Sequence, residues 1–291
     1  MSQVVVLGSS GMLGSCMART LKRNFENVQA ISRKDYPSAF RSEMSLAGFL
    51  ADLGLGSSSY IVNCIGWIPQ RASGDALADE GDAEFANVVV PSTLHAESVR
   101  SGAQIIQVGT DCVFSGTEVV RDENTSRAAS DLYGSTKIRG EDLSPRTMLV
   151  RCSIVGKSPF SGGKSLFDWL LGQPDHSQLV GYVDQVWNGV TVHAFSQLVA
   201  GIISADQHES GVFHWVPADS VSKFELLKLA IKYSQRSDLT VLPGNAEHPK
   251  NMTLSTVRPE QNYKMWQLAG YGSPQRIESL IREYFERECA D

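Results

Sequence analysis

The chain begins with a run of four apolar residues, VVVL at 4–7, followed at once by three glycines spaced three apart in GSSGMLG. A short run that is apolar at every position is typical of a parallel strand covered on both faces. Residues 12–23 then carry apolar side chains at helical spacing, so the glycines fall at a strand-to-helix turn. This order predicts the first unit of a sheet built from alternating strands and helices.

Each glycine has its own physical use in such a turn. Gly8 permits the sharp change of direction, Gly11 lets the backbone approach a pyrophosphate, and Gly14 lets the helix pack closely on the sheet. The free N–H groups at the helix N-terminus favour an anion there. A packing turn without a ligand is the alternative, and the motif alone does not distinguish the two.

Strand and helix patterns continue to alternate through the first half of the chain. Helical patterns at 83–101 and 131–143 separate apolar runs that are predicted as strands over 28–32, 60–66, 104–110 and 147–156. This alternation predicts an α/β protein with a Rossmann-type doubly wound parallel sheet, whose ligands bind beyond the carboxyl ends of the strands.

The regular alternation of strand and helix patterns ends after residue 156. A loop rich in glycine and serine is followed by short apolar runs and by helical patterns at 194–203, 223–233 and about 274–288. We therefore expect a dinucleotide-binding domain over 1–156, which also receives 186–205, and a smaller, mostly helical substrate-binding lobe over 157–291.

Composition excludes several function classes. The net charge of −6 and the absence of a dense Lys/Arg cluster argue against a nucleic-acid partner. The five cysteines form no CxxC pair and the six histidines form no HxxxH pair, so no metal site is expected. Without a signal-peptide pattern or a run of about 18 apolar residues, no membrane contact is expected, and a cytoplasmic location is predicted.

The segment YGSTK places Tyr133 and Lys137 four residues apart, on one face of a predicted helix. A phenol has a pKa of about 10, and a nearby ammonium is expected to lower that pKa by favouring the phenolate. The pair could then act as a general acid/base. Thr110, at the end of the fourth predicted strand, could hydrogen-bond a substrate carbonyl oxygen. A surface helix face and a strand-end hydroxyl that bonds backbone are the alternatives.

The ordered series of GxxGxxG, TDCVFSG, DLYGSTKIRGE, LVRCSIVG and DQVWNGVTV resembles the extended short-chain dehydrogenase/reductases, and among them the dTDP-4-dehydrorhamnose reductase family. The resemblance runs to about residue 205 and more faintly through 254–262. It implies a nucleotide-linked deoxysugar with a 4-keto group as substrate and a nicotinamide cofactor as hydride donor. It further implies that Tyr133 protonates the oxygen, Lys137 holds the ribose and Thr110 orients the carbonyl.

The end of the second predicted strand bears on which cofactor is used. Ser32, Arg33 and Lys34 stand where an NAD-preferring enzyme usually carries an acidic residue. The two cations would attract a 2′-phosphate, so NADP(H) is expected to be preferred. The nearby Asp35 keeps NAD(H) open.

The resemblance also implies two sets of binding residues and admits a homodimer. Cofactor-binding residues are expected to be Gly8, Ser10, Gly11, Met12, Leu13, Ser32, Arg33, Lys34, Cys64, Ile65, Gly66, Tyr133, Lys137 and Val155. Substrate-binding residues are expected to be Trp67, Thr110, Asp111, Cys112, Ser153, Asn188 and Arg258. Arg258 is the expected pyrophosphate partner, because a guanidinium fork matches phosphate oxygens.

Departures from the family pattern fall around the expected sugar pocket and leave the exact substrate open. Cys112 and Ser115 replace a tyrosine and an aspartate of the usual TDYVFDG, and a bulky Trp67 follows the third strand. GDP-fucose synthase uses a cysteine two positions after its catalytic serine as an acid, paired with a histidine. Cys112 therefore keeps a bifunctional 3,5-epimerase/4-reductase or an epimerase open, with His176 and His193 as the candidate partners, and a cysteine that packs under the sheet is the alternative. A non-catalytic NADP-binding regulatory subunit is the third alternative.

Overall fold

The computed structural model describes residues 2–116, 121–142, 147–160 and 162–288, with only the backbone of Arg71 described. Its α-helices are α1 Met12–Asn24, α2 Glu43–Asp52, α3 Ala76–Glu84, α4 Val90–Ser101, α5 Leu132–Asp142, α6 Leu166–Leu171, α7 Val192–Ser204, α8 Lys223–Tyr233, α9 Pro259–Leu268 and α10 Ile277–Glu288. Its strands are β1 Val4–Leu7, β2 Val28–Ile31, β3 Tyr60–Asn63, β4 Gln104–Val108, β5 Met148–Arg151, β6 Ile154–Val155, β7 Gln178–Tyr182, β8 Gln185–Trp187, β9 Val190–Thr191, β10 Gly211–His214, β11 Val221–Ser222, β12 Thr240–Gly244 and β13 Lys250–Asn251.

Six parallel strands form the central sheet, in the spatial order β10-β5-β4-β3-β1-β2. The direction of chain progress reverses between β1 and β3, so the crevice of a doubly wound sheet opens at their carboxyl ends. The structure therefore confirms the predicted Rossmann-type fold, and it places the ends of β1, β3 and β4 along one edge.

The apolar run at the N-terminus is explained by burial on both sides of the sheet. Val4 and Val6 pack in a core with α1 and α7, whereas Val5 and Leu7 pack in a second core with α2 and α4. All four side chains are fully buried. An apolar residue is therefore needed at every position of β1, which is why the run shows no alternation.

The second half of the chain contributes to the central sheet and to a smaller lobe. Helix α7 packs on α1, and β10 pairs with β5 as the sixth strand. Two small sheets, one of order β11-β8-β13 and one of β12 with β7, pack against α8, and α10 packs against α8. The division at residue 156 stays a prediction, because nothing here tests where one domain ends.

The predicted helix over 83–101 is wrong in its length and regularity. Asp75 begins α3 earlier, since its carboxylate accepts from the N–H groups of Leu77 and Ala78. A π-helical turn, Phe85–Val89, then separates α3 from α4. Helix α2 was not predicted, and Ser42 caps it by accepting from the N–H of Ser45.

Candidate active site

The glycine turn brings the ends of β1 and β3 into direct contact. Gly8 has a φ of +80°, and a Cβ added there would lie 3.0 Å from the carbonyl carbon of Cys64 and from the nitrogen of Ile65. A Cβ on Gly14 would lie 2.1 Å from the carbonyl oxygen of Gly8. Helix α1 begins after Gly11 without a side-chain cap. The turn therefore leaves first-turn N–H groups open beside a close-packed backbone cradle.

The end of β2 presents two cations to solvent. The side chain of Ser32 is buried, and its hydroxyl donates a 2.6 Å hydrogen bond to Oδ2 of Asp35. Arg33 and Lys34 are both exposed, and no ion pair of either is found among the described residues. Asp35 was the reason to keep NAD(H) as a possible cofactor, and its carboxylate accepts a hydrogen bond from Ser32. The side chains of Arg33 and Lys34 are exposed and accessible to a ligand.

Thr110 lies at the point where β4 ends and caps the short 3₁₀ turn that follows. Its hydroxyl oxygen accepts from the N–H of Cys112 at 3.2 Å and its O–H is 3.2 Å from Oδ1 of Asp111. The hydroxyl of Thr110 also lies close enough to the Tyr133 phenol to act on its pKa. The structure therefore brings the predicted hydroxyl and phenol together, although 23 positions separate them in the sequence.

Burial raises the pKa of the Tyr133 phenol well above its usual value, and the nearby Cys112 and Asp111 act in the same direction. Only the hydroxyl of Thr110 opposes this shift to a substantial degree. The direction is opposite to the one expected from Lys137, because removal of water from the phenolate is the largest influence on this pKa. Tyr133 is therefore a neutral phenol at pH 7, the form that donates a proton.

Lys137 extends from α5 to the ends of β3 and β4. Its ammonium donates to the carbonyl oxygen of Val108 at 3.4 Å, and a Cβ on Gly66 would lie 3.7 Å from its Nζ. Burial lowers the pKa of Lys137, while the negative charge of Glu141 opposes this shift. The ammonium is thus held at the crevice where a doubly wound sheet binds its ligand.

Asn87 is a site residue that the sequence did not single out. It lies in the π-helical turn with its side chain buried, and its Oδ1 accepts from the N–H of Trp67 at 3.0 Å. Its Nδ2 donates to the carbonyl of Trp67 and to the hydroxyl of Thr136. Asn87 therefore ties the loop after β3 to α5, which carries Tyr133 and Lys137. No spacing in the sequence signals this link.

A cleft of about 500 Å³ opens beyond β5 and β6. Met12, Ser153 and Val155 of the expected binding residues line it. The cleft is also lined by residues that the sequence did not predict, notably Phe160, Lys164, Trp187 and Lys223, and no aspartate or glutamate of the described residues lines it. It is therefore a positively charged cleft with aromatic walls.

Asn188 and Arg258, two of the expected substrate-binding residues, contact other parts of the protein. Asn188 forms two hydrogen bonds with the backbone of Leu254, at 2.7 and 2.8 Å. The guanidinium of Arg258 lies over the ring of Phe213, 5.2 Å from its centroid. Neither residue lines the cleft. The other expected substrate residues outside its lining are Trp67, Thr110, Asp111 and Cys112. The pyrophosphate role of Arg258 stays a prediction.

Cys112 is a mostly buried thiol beside the catalytic candidates. Burial raises its pKa to about 12, and Asp111 acts in the same direction. The hydroxyl of Thr110 opposes this shift, and the carboxylate of Asp131 adds to it. Of the two histidines considered as partners, His193 pairs with Glu283 at 3.5 Å, and His176 donates its backbone N–H to Asp238.

The described residues also bear on metal binding and on membrane spanning. No group of three or more His, Cys, Asp or Glu side chains there is arranged to hold a metal ion. Likewise, in that part of the chain no helix combines the length and the apolar character needed to cross a membrane.

Comparisons with known proteins agree over nearly the whole chain. The family model of the RmlD substrate binding domain matches residues 1–277. The spore coat polysaccharide biosynthesis protein SpsK of Bacillus subtilis is 24% identical over 300 residues, which cover 100% of this chain and 99% of that protein. A probable dTDP-4,6-dihydroxy-2-methyloxan-3-one 4-ketoreductase of Streptomyces antibioticus is 25% identical over 307 residues, covering 97% and 94%.

A solved structure shares the fold from end to end. The dTDP-4-dehydrorhamnose reductase of Bacillus anthracis, in complex with NADP, superposes with a TM-score of 0.79 at 19% identity. The match covers 99% of both chains.

Proposed function

The chain belongs to the RmlD substrate binding domain family, and on this premise we propose that it reduces the 4-keto group of a nucleotide-linked deoxysugar with NADPH. The resemblance expected from the motif series is thereby confirmed. The observation that carries the proposal is the position of Thr110, Tyr133 and Lys137 around the carboxyl end of β4. The cleft lies on the side of Asp111 and Cys112, because Lys223, which lines the cleft, interacts electrostatically with both. NADPH consumption with a panel of nucleotide-linked 4-keto-6-deoxysugars tests the proposal.

The residues of the glycine turn fit a dinucleotide. Gly8 and Gly14 leave a backbone cradle that a Cβ would fill, and the uncapped start of α1 offers N–H donors to phosphate. Arg33 and Lys34 would bind the 2′-phosphate that distinguishes NADP(H) from NAD(H). The relatives named for 4-ketoreduction and for a complex with NADP support this assignment.

Three side chains of this chain would carry the reaction. When bound, the reduced nicotinamide supplies the hydride that C4 of the sugar receives. Thr110 would donate a hydrogen bond to the carbonyl oxygen and fix its direction. Tyr133 would transfer its phenolic proton to that oxygen as negative charge develops there. Lys137 would hold the cofactor ribose and, by its charge, stabilise the resulting phenolate.

The raised pKa of Tyr133 predicts a particular pH profile. A pKa above the usual value of 10.0 keeps the phenol protonated, so raising the pH through neutrality does not remove the proton donor. We expect kcat for ketone reduction to stay level from about pH 6 to about pH 9 and to fall only above that range. Steady-state rates at saturating substrate and NADPH measure it. A falling limb with a midpoint near pH 7 would contradict this assignment of the donor.

The basic pair after β2 predicts cofactor preference. Replacing Arg33 and Lys34 together with alanine is expected to weaken NADPH binding about tenfold or more, with NADH affinity nearly unchanged, because only NADPH carries the 2′-phosphate. Fluorescence titration of both cofactors measures the effect. The control is Lys22→Ala, in the last turn of the same Rossmann unit's helix α1. Equal losses for NADPH and NADH would argue against a phosphate contact.

The two alternatives have less support in the site. A 3,5-epimerase would need an acid or base partner for Cys112, and the contacts found for the two candidate histidines are with Glu283 for His193 and with Asp238 for His176. A regulatory subunit without catalysis has no need of the Thr110–Tyr133 contact or of a buried Lys137. The reductase is therefore the function that the geometry favours.

A further inference from the structure

Lys223 occupies a position that its own helix does not favour. It is the first residue of α8, where Ser222 and Glu225 form a capping box. A cation in the first turn faces the positive end of the helix dipole, which is unfavourable for the helix. Helix stability therefore gives no reason for a lysine here, whereas Glu225 serves the helix start well.

The ammonium of Lys223 is directed into the cleft rather than into solvent. It lines the cleft and lies over the indole of Trp187, 5.8 Å from the ring centroid. Burial lowers its pKa, and the charges of Asp111 and Cys112 oppose that shift. Among the described residues Lys223 forms no contact ion pair with a carboxylate. A desolvated cation in this state gains from an anionic ligand.

The surroundings fix where that charge lies. Trp187 on β8 is the antiparallel partner of Val221 on β11, two residues before Lys223. A Cβ on Gly189 would lie 2.3 Å from Cζ2 of Trp187 and 2.3 Å from the carbonyl oxygen of Ser153. The indole is therefore seated against the backbone, and the strand pairing holds the start of α8 over it.

The composition of the cleft indicates the class of ligand. Lys164 and Lys223 line it without any acidic residue, and Phe160 and Trp187 provide aromatic surface. Two cations match the charge of a diphosphate, and aromatic faces suit a nucleobase or sugar ring. Arg258, which the sequence favoured for the phosphates, lies instead on Phe213.

We propose that Lys223 binds the diphosphate of the nucleotide-linked substrate, next to the sugar-binding edge formed by Asp111 and Cys112. The inference rests on the proposed function, because it places the substrate's phosphates in the same cleft. Lys223 is then a binding residue that makes the protein prefer nucleoside diphosphates over nucleosides.

Calorimetric titration of the NADPH-loaded protein with dTDP and with thymidine tests this inference. Replacing Lys223 with methionine keeps the length of the side chain and removes its charge. We expect dTDP affinity to fall about 10- to 100-fold, as for the loss of a charge-assisted hydrogen bond, with thymidine affinity unchanged. Lys223→Arg is expected to retain most of the dTDP affinity.

Lys228 on the same helix provides a matched control. It is exposed, and its ammonium lies over Phe224, 5.2 Å from the ring centroid, but it does not line the cleft. Lys228→Met is expected to bind dTDP as the wild type does. With a turnover assay, Lys223→Met is further expected to raise KM for the nucleotide sugar and to leave kcat nearly unchanged.

The outcomes separate the inference from the proposed function. Equal dTDP affinity of the wild type and Lys223→Met, with NADPH binding intact in both, overturns the role of Lys223 and leaves the reductase proposal standing. UDP and GDP are titrated into the wild type as well. If the wild type binds none of dTDP, UDP and GDP, the proposed nucleotide-sugar function itself is contradicted. A parallel loss of dTDP and thymidine affinity in Lys223→Met would also overturn the inference, because a phosphate contact affects dTDP alone.

Discussion

Replacing Tyr133 with phenylalanine is expected to lower kcat for keto-sugar reduction about 10²- to 10⁴-fold, with NADPH affinity largely retained. The phenol contacts Thr110 and is neutral at pH 7, so its loss removes the proton donor without a change in charge. The ring itself stays, and α5 keeps its packing against the π-helical turn. Steady-state kinetics together with NADPH fluorescence titration measure the two effects separately.

An exposed tyrosine serves as the control for this substitution. Tyr263 on α9 is 45% exposed and does not line the cleft, so Tyr263→Phe is expected to keep the wild-type kcat. Wild-type turnover by Tyr133→Phe would contradict the assigned proton donor. Loss of NADPH binding in the same variant would instead assign Tyr133 a mainly structural role.

Replacing Gly14 with alanine is expected to weaken NADPH binding about 100-fold, the equivalent of roughly 3 kcal/mol. The new Cβ would lie 2.1 Å from the carbonyl oxygen of Gly8, which belongs to the backbone and cannot rotate away. Helix α1 must then move from the turn, and its first-turn N–H groups move with it. Titration of NADPH fluorescence and thermal unfolding measure the change.

Gly48 on α2 provides the matched glycine. A Cβ there meets nothing within 4 Å, so Gly48→Ala is expected to stabilise the protein by about 0.5–1 kcal/mol and to keep NADPH affinity. The pair of variants thus separates the steric effect at the turn from the general effect of alanine in a helix. NADPH affinity of Gly14→Ala equal to that of the wild type would contradict the cradle assigned to this turn.

The local features of this fold were predictable because they rest on short-range physics. An apolar run buried on both faces, a glycine turn and a phenol four residues from an ammonium each depend on neighbouring residues. Alternation of strands and helices predicts the parallel, doubly wound sheet, and the carboxyl ends of its strands are where Thr110 was expected to act. These parts of the fold and of the candidate site could therefore be derived without coordinates.

The features of the site that the sequence analysis did not predict depend on contacts between residues far apart in the sequence. Asn87 gains its role from a π-helical turn that no periodicity marks. Lys223 interacts electrostatically with Asp111, which lies more than 100 positions earlier in the sequence. The guanidinium of Arg258 was expected to bind phosphate, and nothing in the sequence indicated that it would lie over the ring of Phe213. The pKa direction of Tyr133 was missed for the same reason, since burial is not a property of YxxxK itself.

The central claim is hydride delivery to C4 of a nucleotide-linked 4-keto sugar, with the proton supplied by Tyr133. Its most direct test is turnover of dTDP-4-dehydrorhamnose, or of the member of the substrate panel that is consumed, with NADPH deuterated at C4 of the nicotinamide. Product analysis by NMR is expected to show deuterium at C4 of the sugar, and a parallel reaction in D₂O is expected to place none at C3 or C5. Solvent deuterium at C3 or C5 would instead assign epimerisation to the site and implicate Cys112. A protein that binds NADPH and transfers no deuterium to any member of the panel would contradict the account.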